Sequence, residues 1–232
     1  LDLQSPLAVF SYAIVVGCFW QLLLAAMIVF LRVSPILVSL SGFLILQGVN
    51  LTILPRPGGF APDWLSDWGY GTELNSPVLY VLLAAFLLWY LFCLTPLYQS
   101  MRLLGSDEKT AYTSGVKINL VRFSAHVVAG IYTGLAAVCL TGLIGSGDPS
   151  QGNTYTLQAI TALVLGGTSL AGGNGGALGS ILGALAMFLI FVVLSSFNFG
   201  AISGFMTELT YGLILVFSLL LTIFTGRIVW EK

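Results

Sequence analysis

Seven apolar runs divide this sequence, and nothing else in it restricts the possible folds so severely. The first lies between about Leu7 and Leu31 and ends at Arg32. The second, from about Ile36 to Ile53, follows a Ser34-Pro35 step in which Pro35 suits the first turn of a helix. Further runs cover about Val78–Leu97, Leu120–Ile144, Leu157–Leu170, Ala177–Phe197 and Phe205–Phe224. Between them lie a Pro- and Gly-rich stretch, Pro55 to Asn75, which reads as an exposed loop, and a polar stretch from Gln99 to Asn119. A loop from Gly145 to Asn153 and the glycine-dense turn Ala171–Gly176 separate the later runs.

A helix needs about 20 apolar residues to cross a hydrocarbon core, so 232 residues suffice for one bundle of several spans. Composition agrees. Charged residues make up 7% of the chain and hydrophobic ones 57%, whereas a soluble domain carries roughly 25% charged residues. Too few charges remain to cover a water-facing surface, so lipid must be the main solvent. The expected fold is all-α, a polytopic transmembrane helix bundle with the lipid bilayer as its surroundings. Trp64, Trp68 and Trp230 lie near segment ends, as in an interfacial aromatic belt. A net charge of −1 offers no basic patch for nucleic acid. Cys18, Cys93 and Cys139 all lie inside apolar runs, with neither disulfide nor metal-site spacing.

Cations assign the sides, because cytoplasmic loops collect Lys and Arg. If Arg32 marks the cytoplasm, Arg102, Lys109, Lys117, Arg122, Arg227 and Lys232 fall there too, together with the C-terminus. The other side keeps Arg56 beside Asp63, Asp67, Glu73 and Asp148. This arrangement places Leu1 outside, and the chain opens without an initiator Met or a basic leader. An odd number of N-terminal spans is therefore expected to be missing.

Ionisable groups inside spans are functional candidates, since charge is costly in hydrocarbon. His126 stands one turn beyond Arg122 on one helix face and reads either as a hydrogen-bonded interfacial histidine or as part of a gate. Glu208, near the outer end of the last run, either reaches the interface or lines a pathway mouth with Asn198. No carboxylate pair, Ser-His-Asp set or His/Cys cluster supports catalysis, so the chain does not read as an enzyme.

Gly166, Gly167, Gly172, Gly173, Gly175 and Gly176 do not form a phosphate loop, because no Gly-Lys-Ser/Thr follows and no strand precedes them. Gly175, Gly179 and Gly183 recur every four residues, a smooth helical stripe that admits another backbone, with packing inside one subunit expected. In the polar stretch, Ser106 is expected as an N-cap, Asp107 and Glu108 in a first turn, and Gly115 as a C-cap. Ser106 to Ser114 thus reads as a short surface helix between two spans, either a mere connector or a docking element.

Four stretches carry a family resemblance. Leu165-Gly-Gly-Thr-Ser-Leu-Ala-Gly-Gly173, preceded by Gly145-Ser-Gly-Asp-Pro-Ser150, resembles the permeases of ribose-type monosaccharide ATP-binding-cassette (ABC) importers, in which Leu-Gly-Gly-Thr-Ser-Leu-x-Gly-Gly is characteristic. Gly105-Ser-Asp-Glu-Lys-Thr-Ala-Tyr-Thr-Ser-Gly-Val116 is similar to the family's cytoplasmic loop, and Arg32-Val-Ser-Pro-Ile-Leu-Val-Ser-Leu40 to its Arg-Val-Pro-Pro-Phe-Ile-Val-Thr-Leu pattern. Departures are Lys109 and Thr110 for a family Glu and Ala, Tyr112 for a common basic residue, and Gln47 for a frequent Arg.

The resemblance implies a single permease domain over residues 1–232, of the type II-like ABC importer fold with about ten helices, of which roughly three would be absent. It implies a second permease subunit, identical or paralogous, two cytoplasmic ATPases that hold ATP and magnesium, and a periplasmic sugar-binding protein. It makes residues 105–116 a coupling helix seated in a groove of the ATPase, with Asp107, Glu108, Ala111, Ser114 and Gly115 as its contact positions. This chain itself is expected to bind no cofactor. Importers of the same architecture for branched-chain amino acids, nucleosides or a furanose signal are the nearest alternatives. A proton-coupled transporter would need an intramembrane relay, and His126 and Glu208 lie near opposite faces.

Overall fold

The structure is a computed structural model that describes residues 5–69, 77–169, 172–173, 175–197 and 203–230. Among them it is all helix apart from one isolated bridge between Gly58 and Gly147. By length and composition four helices can cross a membrane, α1 (Pro6–Leu31), α2 (Pro35–Ile53), α7 (Ile118–Ile144) and α9 (Ala177–Ser196). Between 11% and 22% of their most apolar windows is buried inside the chain, so lipid or partner subunits must cover the rest. A fifth crossing is counted if α4 (Pro77–Cys93) and α5 (Pro96–Ser106) form one span bent by 78°.

That bend modifies the expected Val78–Leu97 run. Thr95 Oγ1 donates to the Phe92 carbonyl at 2.6 Å, and Pro96, lacking an N–H, opens a new helix instead of continuing the old one. The expected exposed loop also differs, because it holds a short helix, α3 (Asp63–Gly69), with Leu65 buried. Two further runs become α8 (Gln151–Leu165), six residues longer at its start than its apolar part, and α10 (Ser203–Trp230). At 15 residues α8 is short for a crossing.

The chain separates into two compact units. The first comprises residues 1–101 and 108–149. Its axis is the pairing of α1 with α7, made backbone to backbone at three glycines. A Cβ on Gly17 would lie 2.6 Å from the Gly130 carbonyl oxygen, and one on Gly134 would lie 2.7 Å from Ile14 Cα. Leu24, Ile28 and Val38 join α1 to α2, with Trp20 against them. On the other flank Tyr132 Oη donates to the Ala85 carbonyl of α4 at 2.9 Å, and Trp89 meets Tyr132 edge-on. Gly58 and Gly147 exchange two backbone hydrogen bonds of 3.0 and 3.1 Å, which tie the loop before α3 to the end of α7.

The second unit comprises residues 102–107 and 150–232. Its core is Ala162 of α8, Met187 of α9 and Tyr211 of α10, flanked by Leu157, Ile190 and Ile214. Tyr211 is 1% exposed, and its hydroxyl accepts a 2.8 Å hydrogen bond from Gln158 Nε2. Burying that hydroxyl without a partner would be costly, so the Gln158 amide fixes how α8 and α10 register.

Candidate functional site

The polar stretch between α5 and α7 forms a second, shorter helix, α6 (Glu108–Thr113). Ser106 is not its N-cap. It closes α5 instead, with Oγ donating to the Leu103 carbonyl at 2.8 Å and Asp107 N–H reaching the same oxygen at 3.2 Å. Asp107 therefore precedes α6 and Glu108 occupies its first turn. At the far end Gly115 adopts φ +80, its N–H bonds the Tyr112 carbonyl at 3.0 Å, and Val116 N–H bonds the Ala111 carbonyl at 3.1 Å. This double bond pattern with a left-handed glycine closes the helix. Ser114 Oγ adds a 2.8 Å bond to the Thr110 carbonyl.

Two contacts hold α6 to its own unit. Arg122 Nη2 of α7 donates to Glu108 Oε2 at 2.9 Å. The pair is partly exposed, so it orients the helix more than it stabilises it. Ala111 is fully buried, and its small size lets α6 lie close to the chain. Sequence reasoning set Ala111 on the face turned to a partner. The structure puts it inward, and the outward face belongs to Lys109, Thr110, Tyr112 and Thr113, all exposed. Arg122 was legible as a cation of the cytoplasmic side and a neighbour of His126, and not as the partner of Glu108, which lies 14 residues earlier, across a turn.

Just before α6, within the second unit, Gly105 of α5 meets the glycine turn. A Cβ on Gly172 would sit 2.6 Å from the Gly105 carbonyl oxygen, and one on Gly105 would sit 3.1 Å from the Gly173 nitrogen. Gly172 and Gly173 have φ of +95 and +77, a region that disfavours side chains. The two stretches singled out in the sequence, residues 105–116 and 165–173, thus touch at three glycines. Neither periodicity nor spacing signals that contact.

Glycines also set the α8–α9 contact. Gly166 ends α8 against Gly179, and Gly183 faces the Ala162 carbonyl, in each case with no room for a Cβ. Gly175 is not part of that helical stripe. It lies before α9 begins at Ala177 and packs on Thr168. Gly167, with φ +80, has no atom near its missing Cβ.

Asn198 lies outside the described residues, and Glu208 is exposed on α10. His126 Nδ1 shares a 3.0 Å hydrogen bond with Gln21 Oε1 and so links α7 to α1 as an ordinary interhelical contact. Among the described residues no group of three His, Cys, Asp or Glu could hold a metal ion.

Residues 1–223 match the family model described as branched-chain amino acid transport system / permease component. The chain is 31% identical over 195 residues to the ribose import permease protein RbsC of Bacillus subtilis, covering 82% of this chain and 60% of that protein. It is 32% identical over 163 residues to RbsC of Escherichia coli K12, covering 67% and 51% respectively. The autoinducer 2 import system permease protein LsrD of Salmonella paratyphi B is 27% identical over 194 residues, 80% of this chain and 58% of LsrD. The chain spans between about half and three-fifths of these relatives' lengths. No solved structure matches it significantly.

Proposed function

Since this chain belongs to the branched-chain amino acid transport system / permease component family, we propose that it is the membrane-spanning subunit of an ABC importer for a monosaccharide. It is a multi-pass membrane protein, and its work is to open a pathway alternately to either side. Hydrolysis belongs to cytoplasmic ATPase subunits, which hold ATP and magnesium. A second permease subunit completes the pathway, and a periplasmic binding protein delivers the sugar. The cation-rich side, with Arg32, α6 and the C-terminus, is assigned to the cytoplasm, a reading that the distribution of Lys and Arg in the sequence supports.

One observation carries the reading: α6 is an exposed helix closed at its C-terminal end by Gly115 and fastened to a span. An element meant to transmit force must not deform when pushed. The Gly115 closure, the buried Ala111 and the Glu108–Arg122 pair give α6 that stiffness and connect it to α7. Gly105, three residues before it, rests on Gly172 and Gly173. Movement of an ATPase groove around residues 105–116 would therefore reach spans on both sides of the coupling segment as rigid displacements. Asp107 and Glu108 meet basic groups of that groove, with Tyr112 and Lys109 providing its apolar and cationic contacts.

Cargo is the second question. A zwitterionic amino acid calls for a paired acid and base along the pathway, whereas the Glu108–Arg122 pair sits at α6, outside the body of the spans. An uncharged sugar needs no such pair. The ribose relatives support a pentose, and the Salmonella relative supports autoinducer 2 as the alternative.

The test is reconstitution with the ATPase and binding protein, measuring uptake of ribose and of autoinducer 2. Replacing exposed residues by Glu108→Arg and Tyr112→Ala is expected to lower uptake and transport-coupled ATP hydrolysis at least about tenfold, equivalent to roughly 1.4 kcal/mol of docking. Membrane insertion and helical content should be unchanged. Full activity in the double variant would refute the coupling role of α6.

A further inference from the structure

Between α6 and the place where α1 ends and α2 and α7 begin, the first unit has an open cavity of about 1150 Å³. Three cations line it, Arg32, Lys117 and Arg122, against one carboxylate, Glu108. Glu108 is already engaged by Arg122 at 2.9 Å, which leaves an excess of two positive charges. Arg32 and Lys117 have no carboxylate partner among the described residues.

The backbone adds to this positive field. Lys117 is the N-cap of the 27-residue helix α7, and Ser34 is the N-cap of α2; neither side chain caps its helix. Both helix starts line the cavity. A cation at the positive end of a long helix is electrostatically misplaced unless an anion lies beside it. Arg32 takes φ +53 at the end of α1, a left-handed conformation where glycine or asparagine is usual. An arginine kept there against its backbone preference marks the site as more than a turn.

Lipid is the anion that fits the surroundings. The residues next to the cavity, Leu31, Ile36 and Leu120, expose 65%, 76% and 54% of their surface. An acyl chain can lie along that apolar face while its phosphate enters the basic cavity, a combination that a soluble anion cannot use. The cavity lies at the ends of spans, on the cation-rich side, where anionic headgroups meet juxtamembrane Lys and Arg.

We infer that this cavity is a binding site for the phosphate headgroup of an anionic phospholipid. Glu108, Tyr112, Thr113 and Gly115 of the coupling segment form one wall of the cavity, so the site adjoins the proposed ATPase groove, and the lipid test is made on the chain without the ATPase. The detergent-extracted protein is exposed to equal amounts of dioleoyl-phosphatidylglycerol and dioleoyl-phosphatidylcholine, and retained lipid is counted by native mass spectrometry. Phosphatidylglycerol is expected to be retained about tenfold or more over phosphatidylcholine, from the attraction of each cation near a headgroup. Arg32→Gln with Lys117→Gln should bring the ratio close to one. Arg32→Lys with Lys117→Arg, which keeps the charges, should preserve it, as should Arg56→Gln with Lys109→Gln, which removes cations outside the cavity. Equal retention of both lipids by the parent chain overturns the assignment. So does a preference that survives loss of Arg32 and Lys117, including the case where that variant loses only ATPase binding and the cavity is a protein-docking site. Competition by millimolar inorganic phosphate would also overturn it, by making the cavity a site for soluble anions.

Discussion

Gly172→Ala isolates the contact between the glycine turn and the start of the coupling segment. Two costs combine at this position. Its φ of +95 lies in the region where a Cβ meets its own backbone, worth roughly 1–2 kcal/mol. The new Cβ would also fall 2.6 Å from the Gly105 carbonyl oxygen, and overpacking of that kind costs about 1–3 kcal/mol. A loss of roughly 2–5 kcal/mol is expected. Two neighbours separate the contributions. Gly167→Ala has φ +80 and open space around the new Cβ, so it should lose only about 1–2 kcal/mol. Gly105→Ala has no unusual φ, and its Cβ would stand 3.1 Å from the Gly173 nitrogen. Relief of a helical glycine, up to about 1 kcal/mol, offsets that crowding and leaves it near the parent. Unfolding by dodecyl sulfate titration, followed by helical circular dichroism, ranks the three. If Gly172→Ala is no worse than Gly167→Ala, the Gly105 contact contributes nothing and the argument from glycine packing fails.

Three other outcomes follow from the same geometry. Gly134→Ala, with its Cβ 2.7 Å from Ile14 Cα, should lose roughly 1–2 kcal/mol net of the propensity gain, whereas Gly48→Ala, which meets nothing within 4 Å, should gain roughly 0.5–1 kcal/mol; dodecyl sulfate midpoints distinguish the two. A double-mutant cycle of Glu108→Gln and Arg122→Gln should give a coupling of at most about 1 kcal/mol that shrinks in high salt, read from the same titration. Tyr211→Phe removes the acceptor of the 2.8 Å bond from Gln158 and should cost roughly 0.5–1.5 kcal/mol, while Gln158→Leu combined with it should restore part of the loss.

The spans were legible because hydrocarbon leaves few options for an apolar run. Pro35 begins α2 and the runs behind α1, α7 and α9 end within a residue or two of the helices. Boundaries set by local chemistry were partly legible. Gly115 ends α6 through a left-handed turn that only its lack of a Cβ makes easy, but Ser106 had two possible uses and serves α5 rather than α6. Pro96 carried the signal for the bend after Cys93, yet the apolar Leu97 beyond it disguised the break as a continuing span. The α3 helix was hidden because its residues look like loop and become ordered through Leu65 packing at Gly142 of α7. What the sequence cannot express is contact between distant backbones. A glycine reports that a Cβ is absent, and not which segment fills the space: Gly105 against Gly172 and Gly17 against Gly130 had to be seen in three dimensions.

The seam between α1 and α7 has a consequence for how the protein is made. Cys18 and Val127, which meet across it, are separated by 109 residues. At a synthesis rate of roughly 5–20 residues per second, α1 waits on the order of 5–20 seconds in the membrane before its partner leaves the ribosome. During that interval the groove at Gly17 is occupied by lipid, by a passing helix or by an insertion factor. The seam is thus assembled late, and its small residues must both release that temporary occupant and admit α7. A substitution that slows release could reduce the yield of inserted protein while leaving every molecule that completes assembly fully stable.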